Sequence, residues 1–220
     1  MSKIMWDQDG QRIYETGVDH AVLYKKTNGV YSTGVPWNGL ISVEESPSGG
    51  EPSAMYADNI KYGEVMSKEE FAATIEAYTY PEEFAECDGS KEIAPGVFAG
   101  QQTRVPFGLS YRTLIGNDEQ GEDYGYKIHI VYNAKAKPSS KPRGTVNESP
   151  EAITMSWECS TTPVEVPGGK PTAHLTFDST KVAKDKMEAL EALLYGSESE
   201  EAKLPTVEEI IALMGESAAG

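Results

Sequence analysis

Nucleophilic catalysis needs a Ser or Cys beside a base that a third group holds in place. Three histidines, His20, His129 and His174, are present to act as that base. His129 lies in the stretch 126–133, where Tyr126, Ile128, Ile130 and Tyr132 alternate with Lys127, His129 and Asn133. His174 lies likewise opposite Ala173, Leu175 and Phe177. Both therefore fall on the polar faces of strands, a position that suits solvated side chains as well as chemistry. Cys159 shares the inward register of Trp157 and reads as a small core residue, whereas Cys87 falls in a polar turn. Two cysteines are too few for a disulfide framework, so both are expected as free thiols. No C-x-x-C or H-x-x-x-H spacing marks a metal site. The doublets Glu44 with Glu45 and Glu82 with Glu83 send neighbouring carboxylates to different faces, where general acid/base work needs two converging on one bond. The run Pro167 to Thr172 approaches the end of a phosphate loop, yet Val164 stands at the place of the earlier glycine and Pro171 at that of the Ser or Thr. It reads as a turn between strands. The expectation is of no catalytic, cofactor or metal residues.

The elements that would position these residues follow from their periods. Ile153, Met155, Trp157 and Cys159 alternate with polar residues over 153–160, giving a strand with one buried face. Strands follow equally over 126–133 and 172–177. Val105 to Tyr111 makes another, and Pro106, which lacks a ladder donor, points to an edge or a bulge. Residues 71–79 alternate as a strand, although a helix beginning at Glu70 fits the same residues. Ala21 to Lys25, Asn28-Gly29 and Val30-Tyr31 form a hairpin, because Asn-Gly supplies the positive φ angles of a tight turn. Leu40 to Glu45 is a further strand. The segment 116–124 is a short connection, while 46–53 and 135–150, crowded with Pro, Gly, Ser and charge, are long loops. After Asp178, Ser179 and Thr180, which are candidate N-caps, Ala183, Met187, Leu190 and Leu194 recur at helical spacing up to Gly196. A second helix starts at Pro205 and Thr206, where Thr206 and Glu209 fit a capping box, and ends at Gly215. The simple expectation is that both helices cover an open face of their own sheet. The sharper one is that the terminal helix docks on a neighbouring copy. Fold class is thus mainly β, a β-sandwich over 1–180 with extended loops and a short helix, followed by a C-terminal helical extension over 181–220.

Composition narrows the function. The 220 residues carry 19 Lys and Arg against 35 Asp and Glu, a net charge of −16 that works against gripping phosphate backbones. No apolar run approaches the ~18 to 20 residues of a membrane span. Residues 1–10, with Trp6, Asp7 and Asp9, lack the basic cap and apolar core of a signal peptide, so folding in a cytoplasm is expected. Twelve Tyr against five Phe, among them Tyr56, Tyr62, Tyr78 and Tyr80, with Trp37 nearby, favour side chains that pack while keeping a polar tip, which suits either subunit interfaces or core edges.

The runs Gly17 to Tyr24, Gly34 to Leu40, Glu45 to Pro52, Tyr56 to Tyr62 and Glu76 to Pro81 with Phe84 stand out. Together they resemble the major tail proteins of long-tailed, sheathless phages of Gram-positive bacteria. Gln101, Gln102, Arg104, Phe107 to Tyr111, Lys127 to Tyr132 and Trp157 to Pro163 extend the resemblance, which covers roughly 17–180. The resemblance implies a β-sandwich tail-tube fold whose subunits form six-fold rings, stacked into a hollow tube around a tape measure protein. Such a tube meets tail-tip and tail-terminator proteins and conducts viral DNA without binding it specifically, with no enzymatic activity and no cofactor. It places the protein in the virion after synthesis in the host cytoplasm. The candidate subunit interface is Trp37, Tyr56, Asp58, Asn59, Tyr62 and Arg143, and segments 46–59 and 135–150 are expected to order only on neighbours. Acidic residues facing a lumen would repel DNA and let it slide. Three other readings are a monomeric β-sandwich binding carbohydrate or protein, a hydrolase built on His129 or His174, and a related tube-like tail component.

Overall fold

The computed structural model describes residues 3–145 and 152–215. In chain order its strands begin with β1 (Tyr14–Thr27), β2 (Val30–Tyr31), β3 (Val35–Pro36), β4 (Leu40–Glu45), β5 (Pro52–Ala57), β6 (Ile60–Met66) and β7 (Ala72–Ala77). The short helix α1 (Phe84–Cys87) follows, then β8 (Lys91–Ala94), β9 (Val97–Ala99), β10 (Phe107–Asn117), β11 (Gly121–Ala136), β12 (Met155–Ser160) and β13 (His174–Asp178). Two helices, α2 (Lys184–Tyr195) and α3 (Val207–Met214), close the described chain.

One nine-stranded sheet runs β2-β1-β10-β11-β12-β7-β4, with β13 also on β11 and β3 also on β1. All its pairings are antiparallel. The long strand β11 joins two portions: residues 127–131 lie between β10 and β13, while Lys135 and Ala136 pair with Ser160 and Cys159 of β12. Between them Asn133 takes a φ of 49°, and the register against β10 slips where Phe107 faces Ala134 but Leu109 faces Val131. This bulge turns the strand from one portion into the other. Leu23, Leu109 and Val131 of the first portion and Ile75, Trp157 and Cys159 of the second share one buried cluster, so the two portions are the halves of a sandwich. The outer face of the first portion presents Val22, Tyr24, Ile128 and Ile130 to Leu190 and Ile210 of the helices. Layers therefore run helices, sheet, sheet.

The helices dock on their own chain. Met187, Leu190 and Leu194 form the buried stripe of α2, and Val207 and Ile210 that of α3. The Tyr24 hydroxyl donates to the Leu194 carbonyl at 2.7 Å, and the Tyr132 hydroxyl to that of Pro205 at 2.9 Å. Gly108 permits this approach, since a Cβ there would lie 2.3 Å from Leu204 Cδ2. The capping box forms as expected: the Thr206 Oγ1 accepts from the Glu209 amide at 3.3 Å, and Glu209 Oε2 accepts from the Thr206 amide at 2.9 Å. The cap expected for α2 does not form. Ala183 is its N-cap, and the Thr180 amide instead donates to Asp178 Oδ1 at 2.9 Å, closing a separate turn.

Several boundaries differ from the sequence reading. Residues 72–77 are strand, not the start of a helix. Pro106 stands just before β10, which is central rather than at an edge, and its carbonyl accepts from the Lys26 amide at 2.9 Å. Proline is tolerated there because the ladder starts one residue later. The Asn28-Gly29 turn is as expected, with φ angles of 52° and 85°. Its strand β1 is twice broken by bulges, where Gly17 and His20 adopt φ of 67° and 50°. The expected loop 46–53 ends at Pro52, where β5 begins: β5 and β6 form a two-stranded sheet of their own, as do β8 and β9. Cys87 is buried in the inner cluster rather than in a polar turn. Burial raises both thiols to about 12, so neither is a thiolate at neutral pH.

Candidate functional site

The candidate interface residues fall on different elements. Trp37 is only 3% exposed: it packs 4.5 Å from the Phe84 ring and donates its indole N–H to the Thr79 carbonyl at 2.9 Å. A residue so enclosed cannot meet a neighbouring subunit, so Trp37 is a core residue. Burial follows from the local chain, since Val35-Pro36 of β3 pairs with Leu23-Val22 of β1 and turns Trp37 inward beneath β7. Tyr78 is exposed, whereas Tyr80 packs against Trp157.

Tyr56, Asp58, Asn59 and Tyr62 come together on the β5–β6 hairpin. Asp58 and Asn59 make its turn with φ of 51° and 64°, the left-handed pair that joins twisted strands tightly. Pairing runs from Pro52 with Met66 to Ala57 with Ile60, with one register slip at Met55/Tyr56. Tyr56 and Tyr62 are 73% and 75% exposed, and Met55, Ile60, Val65 and Met66 are exposed with them. A hairpin with open apolar side chains on a separate two-stranded sheet is an arm that buries nothing against its own body. The β8–β9 hairpin repeats the pattern with exposed Ile93, Val97 and Phe98. Arg143 is exposed in the segment after β11. Nearby Lys141 is tied to its own chain by the buried carboxylate of Asp88, and its ammonium lies 5.1 Å from the Tyr80 ring centroid. The segment 135–150 is thus anchored at Lys141, and its residues 146–150 lie outside those described.

A second cluster joins both halves of the sandwich. His129 is 6% exposed rather than solvated. Its polar strand face is the inner face of the sandwich, while the apolar Ile128 and Ile130 turn outward beneath the helices. Cross-strand pairing sets Tyr111 and Thr176 beside His129, and Val131 beside His174. The rings of Tyr111, His129, His174 and Phe71 lie nearly parallel in succession, at centroid separations of 4.7, 5.4 and 4.7 Å. Glu45, at the end of β4, reaches this row from the opposite half. Its Oε1 accepts from the Tyr111 hydroxyl at 2.7 Å and lies 3.4 Å from His129 Nδ1 and 3.6 Å from His174 Nε2. Burial holds both imidazoles below their ordinary pKa, so both are neutral at neutral pH. Burial alone would raise the Glu15 carboxyl, but hydrogen bonds from Lys127 and Thr113 bring it below the usual range.

The sequence reading missed this cluster because 45, 111, 129 and 174 are far apart in the chain and form no local spacing. The one available signal was Val131, an apolar residue in register with His129 on the otherwise polar face, which joins the inner cluster. His20, by contrast, is exposed beside Asp19, at 3.0 Å. The run at Pro167 to Thr172 is the expected turn, closed by the bridge of Val164 to Thr172.

No family model matches the chain, and no curated protein does. Among solved structures, the chain is similar to a component of an extracellular contractile injection system, a sheath–tube complex in the extended state. Identity is 11%, the match covers 80% of this chain and 94% of the other, and the TM-score is 0.32, a level that carries no inference to role. Among the described residues no helix is long and apolar enough to cross a membrane.

Proposed function

We infer that the protein is the repeating structural subunit of a phage tail tube, assembling into six-fold rings that stack into a conduit for genome ejection. The single observation that carries this is the β5–β6 hairpin, an arm with six exposed apolar side chains and no core of its own. It coincides with Tyr56 to Tyr62, one of the runs through which the sequence resembles tail-tube proteins. Outward-projecting strands with free edges suit head-to-tail contacts, which close into rings by rotation and extend into tubes by stacking. The helices cover the apolar outer face of the first half of the sandwich, while the β5–β6 and β8–β9 hairpins keep open apolar side chains available for contacts between copies. A tape measure protein in the lumen, tail-tip and terminator proteins at the ends and DNA in transit are the partners of that role, and the virion its location. A net charge of −16 favours passage of DNA over binding.

The test is negative-stain electron microscopy with light scattering on the purified protein at rising concentration. Rings or hollow tubes are expected. A glycan-binding protein that stays monomeric at all concentrations, even when seeded with tail-tip complexes, would replace the tube reading with that of a binding module. Amide exchange gives a second readout, since residues 52–66 should gain protection in the tube and equal protection in both states would count against the arm.

A further inference from the structure

We propose that Glu45, His129 and His174 form a zinc-binding site that ties the rim of one half of the sandwich to the other. The donor atoms are Glu45 Oε1, His129 Nδ1 and His174 Nε2, separated by 3.4, 3.6 and 3.2 Å. Zinc binds imidazole nitrogen and carboxylate oxygen at about 2.0–2.1 Å, and the edges of a tetrahedron of that radius are about 3.3–3.4 Å. All three separations lie close to that edge, so a Zn²⁺ ion fits with little movement. Two neutral nitrogens and one carboxylate are also the donor set zinc favours over Mg²⁺ or Ca²⁺.

The surrounding bonds prepare the donors. Glu15 Oε1 accepts from the Thr113 hydroxyl at 2.6 Å, which uses that group's only proton. Thr113 Oγ1, 3.1 Å from His129 Nε2, must then accept, so the imidazole proton sits on Nε2 and Nδ1 presents a bare lone pair. Such a chain from carboxylate through a relay to the far nitrogen is the outer support that metal-ligating histidines generally carry. Glu45 Oε1 accepts from Tyr111 and keeps a second lone pair for the ion. Before zinc enters, His129 Nδ1 accepts from the His174 Nε2–H, 3.2 Å away, or from the Thr176 hydroxyl at 3.5 Å. A zinc-ligating His174 Nε2 carries no proton, so any proton there moves to the other nitrogen of the ring, with no change in net protonation. The Glu45 side chain is 36% exposed, which gives the ion a path in and leaves its fourth position to water.

The experiment titrates Zn²⁺ into the metal-stripped full chain against a chromophoric chelator and records visible spectra with Co²⁺ as the spectroscopic stand-in. One equivalent should bind, with the intense visible bands of a tetrahedral cobalt site. Affinity should fall by about 100-fold or more in His174→Ala and in Glu45→Gln. Thr113→Val, which leaves every donor in place, should weaken it about 10–100-fold, and His20→Ala should leave it unchanged. Glu45 is at the rim, so Glu45→Gln tests the site even where a histidine variant fails to fold. Zinc binding no tighter to the wild type than to Glu45→Gln, or the weak spectrum of aqueous cobalt, would overturn the proposal.

Discussion

Replacing both Tyr56 and Tyr62 by Ser should abolish assembly at ordinary concentrations while leaving the monomer intact. Each ring is about three-quarters open, at 73% and 75% exposure. A tyrosine can bury roughly 150–250 Å², so each has on the order of 110–190 Å² still to bury. At about 25 cal/mol per Å² the ceiling is about 3–5 kcal/mol per ring. Ordering the side chain and desolvating its hydroxyl take part of that, and truncating an aromatic anchor in an interface commonly costs about 2 kcal/mol. That is a roughly 30-fold change in an association constant. The two rings share one hairpin and need not add, so the double variant should raise the critical concentration for tubes between about 30-fold and 1,000-fold. Sedimentation of tubes against total protein, checked by negative stain, measures that threshold. The thermal midpoint of the monomer should barely move, because neither ring packs on its own chain and such surface changes stay within about 0.5 kcal/mol. Tubes at the wild-type threshold would refute the role of the arm, and a clearly less stable monomer would show that the rings pack on their own chain.

Three further outcomes follow from the packing. Trp37→Ala should destabilise the monomer by about 3–5 kcal/mol in urea unfolding, as loss of a buried indole does, whereas an interface role would spare the monomer. Tyr24→Phe leaves the Leu194 carbonyl without its buried donor and should cost about 1–3 kcal/mol, seen as a lower urea midpoint at unchanged slope; an unaltered midpoint would mean that the helix is held by apolar contact alone. Arg112 hydrogen bonds, at 2.7 and 2.8 Å, hold the Asp19 carboxyl below its usual range. A depressed folded pKa contributes stability above the unfolded value of about 3.9, which is lost as pH falls through the folded one. Because Asp19 is partly exposed, the contribution is at most about 1 kcal/mol, and Asp19→Asn should flatten the acid limb of stability below about pH 4. An identical acid limb in both proteins would rule the pair out as a source.

What was legible in the sequence was local. Period two over 153–160 and 126–133 identified strands, the first starting two residues later than expected at Met155, because alternation follows from the pleat whatever the sheet packs against. Asn28-Gly29 identified a turn because few other pairs take two positive φ angles, and Thr206 with Glu209 identified a helix start because its bonds lie within one turn. The β5–β6 hairpin was open to the same reasoning at Asp58-Asn59, but the Gly and Pro residues around 47–52 suggested a loop. Bulges at Gly17, His20 and Asn133 left no mark on composition, since each answers to a partner strand that is distant in sequence.

Burial was legible only by halves. Alternation says that β11 has two unlike faces, and the usual inference makes the polar one wet. Here the helices cover the apolar face and the second half of the sandwich covers the other, so Lys127, His129 and Val131 share an inner side that runs from solvent to core within five residues. His129 sits at that gradient, enclosed enough to stay neutral and near enough to the rim for Glu45 to reach it. Trp37 shows the converse. An amphipathic aromatic beside Gly34, Pro36 and Gly39 looks like a surface anchor, and only the pairing of β3 with β1 turns it under β7. In both cases the deciding contact comes from strands that meet only after the chain has folded, and for that reason the zinc titration and the Trp37 variant test the tertiary arrangement rather than the local reading.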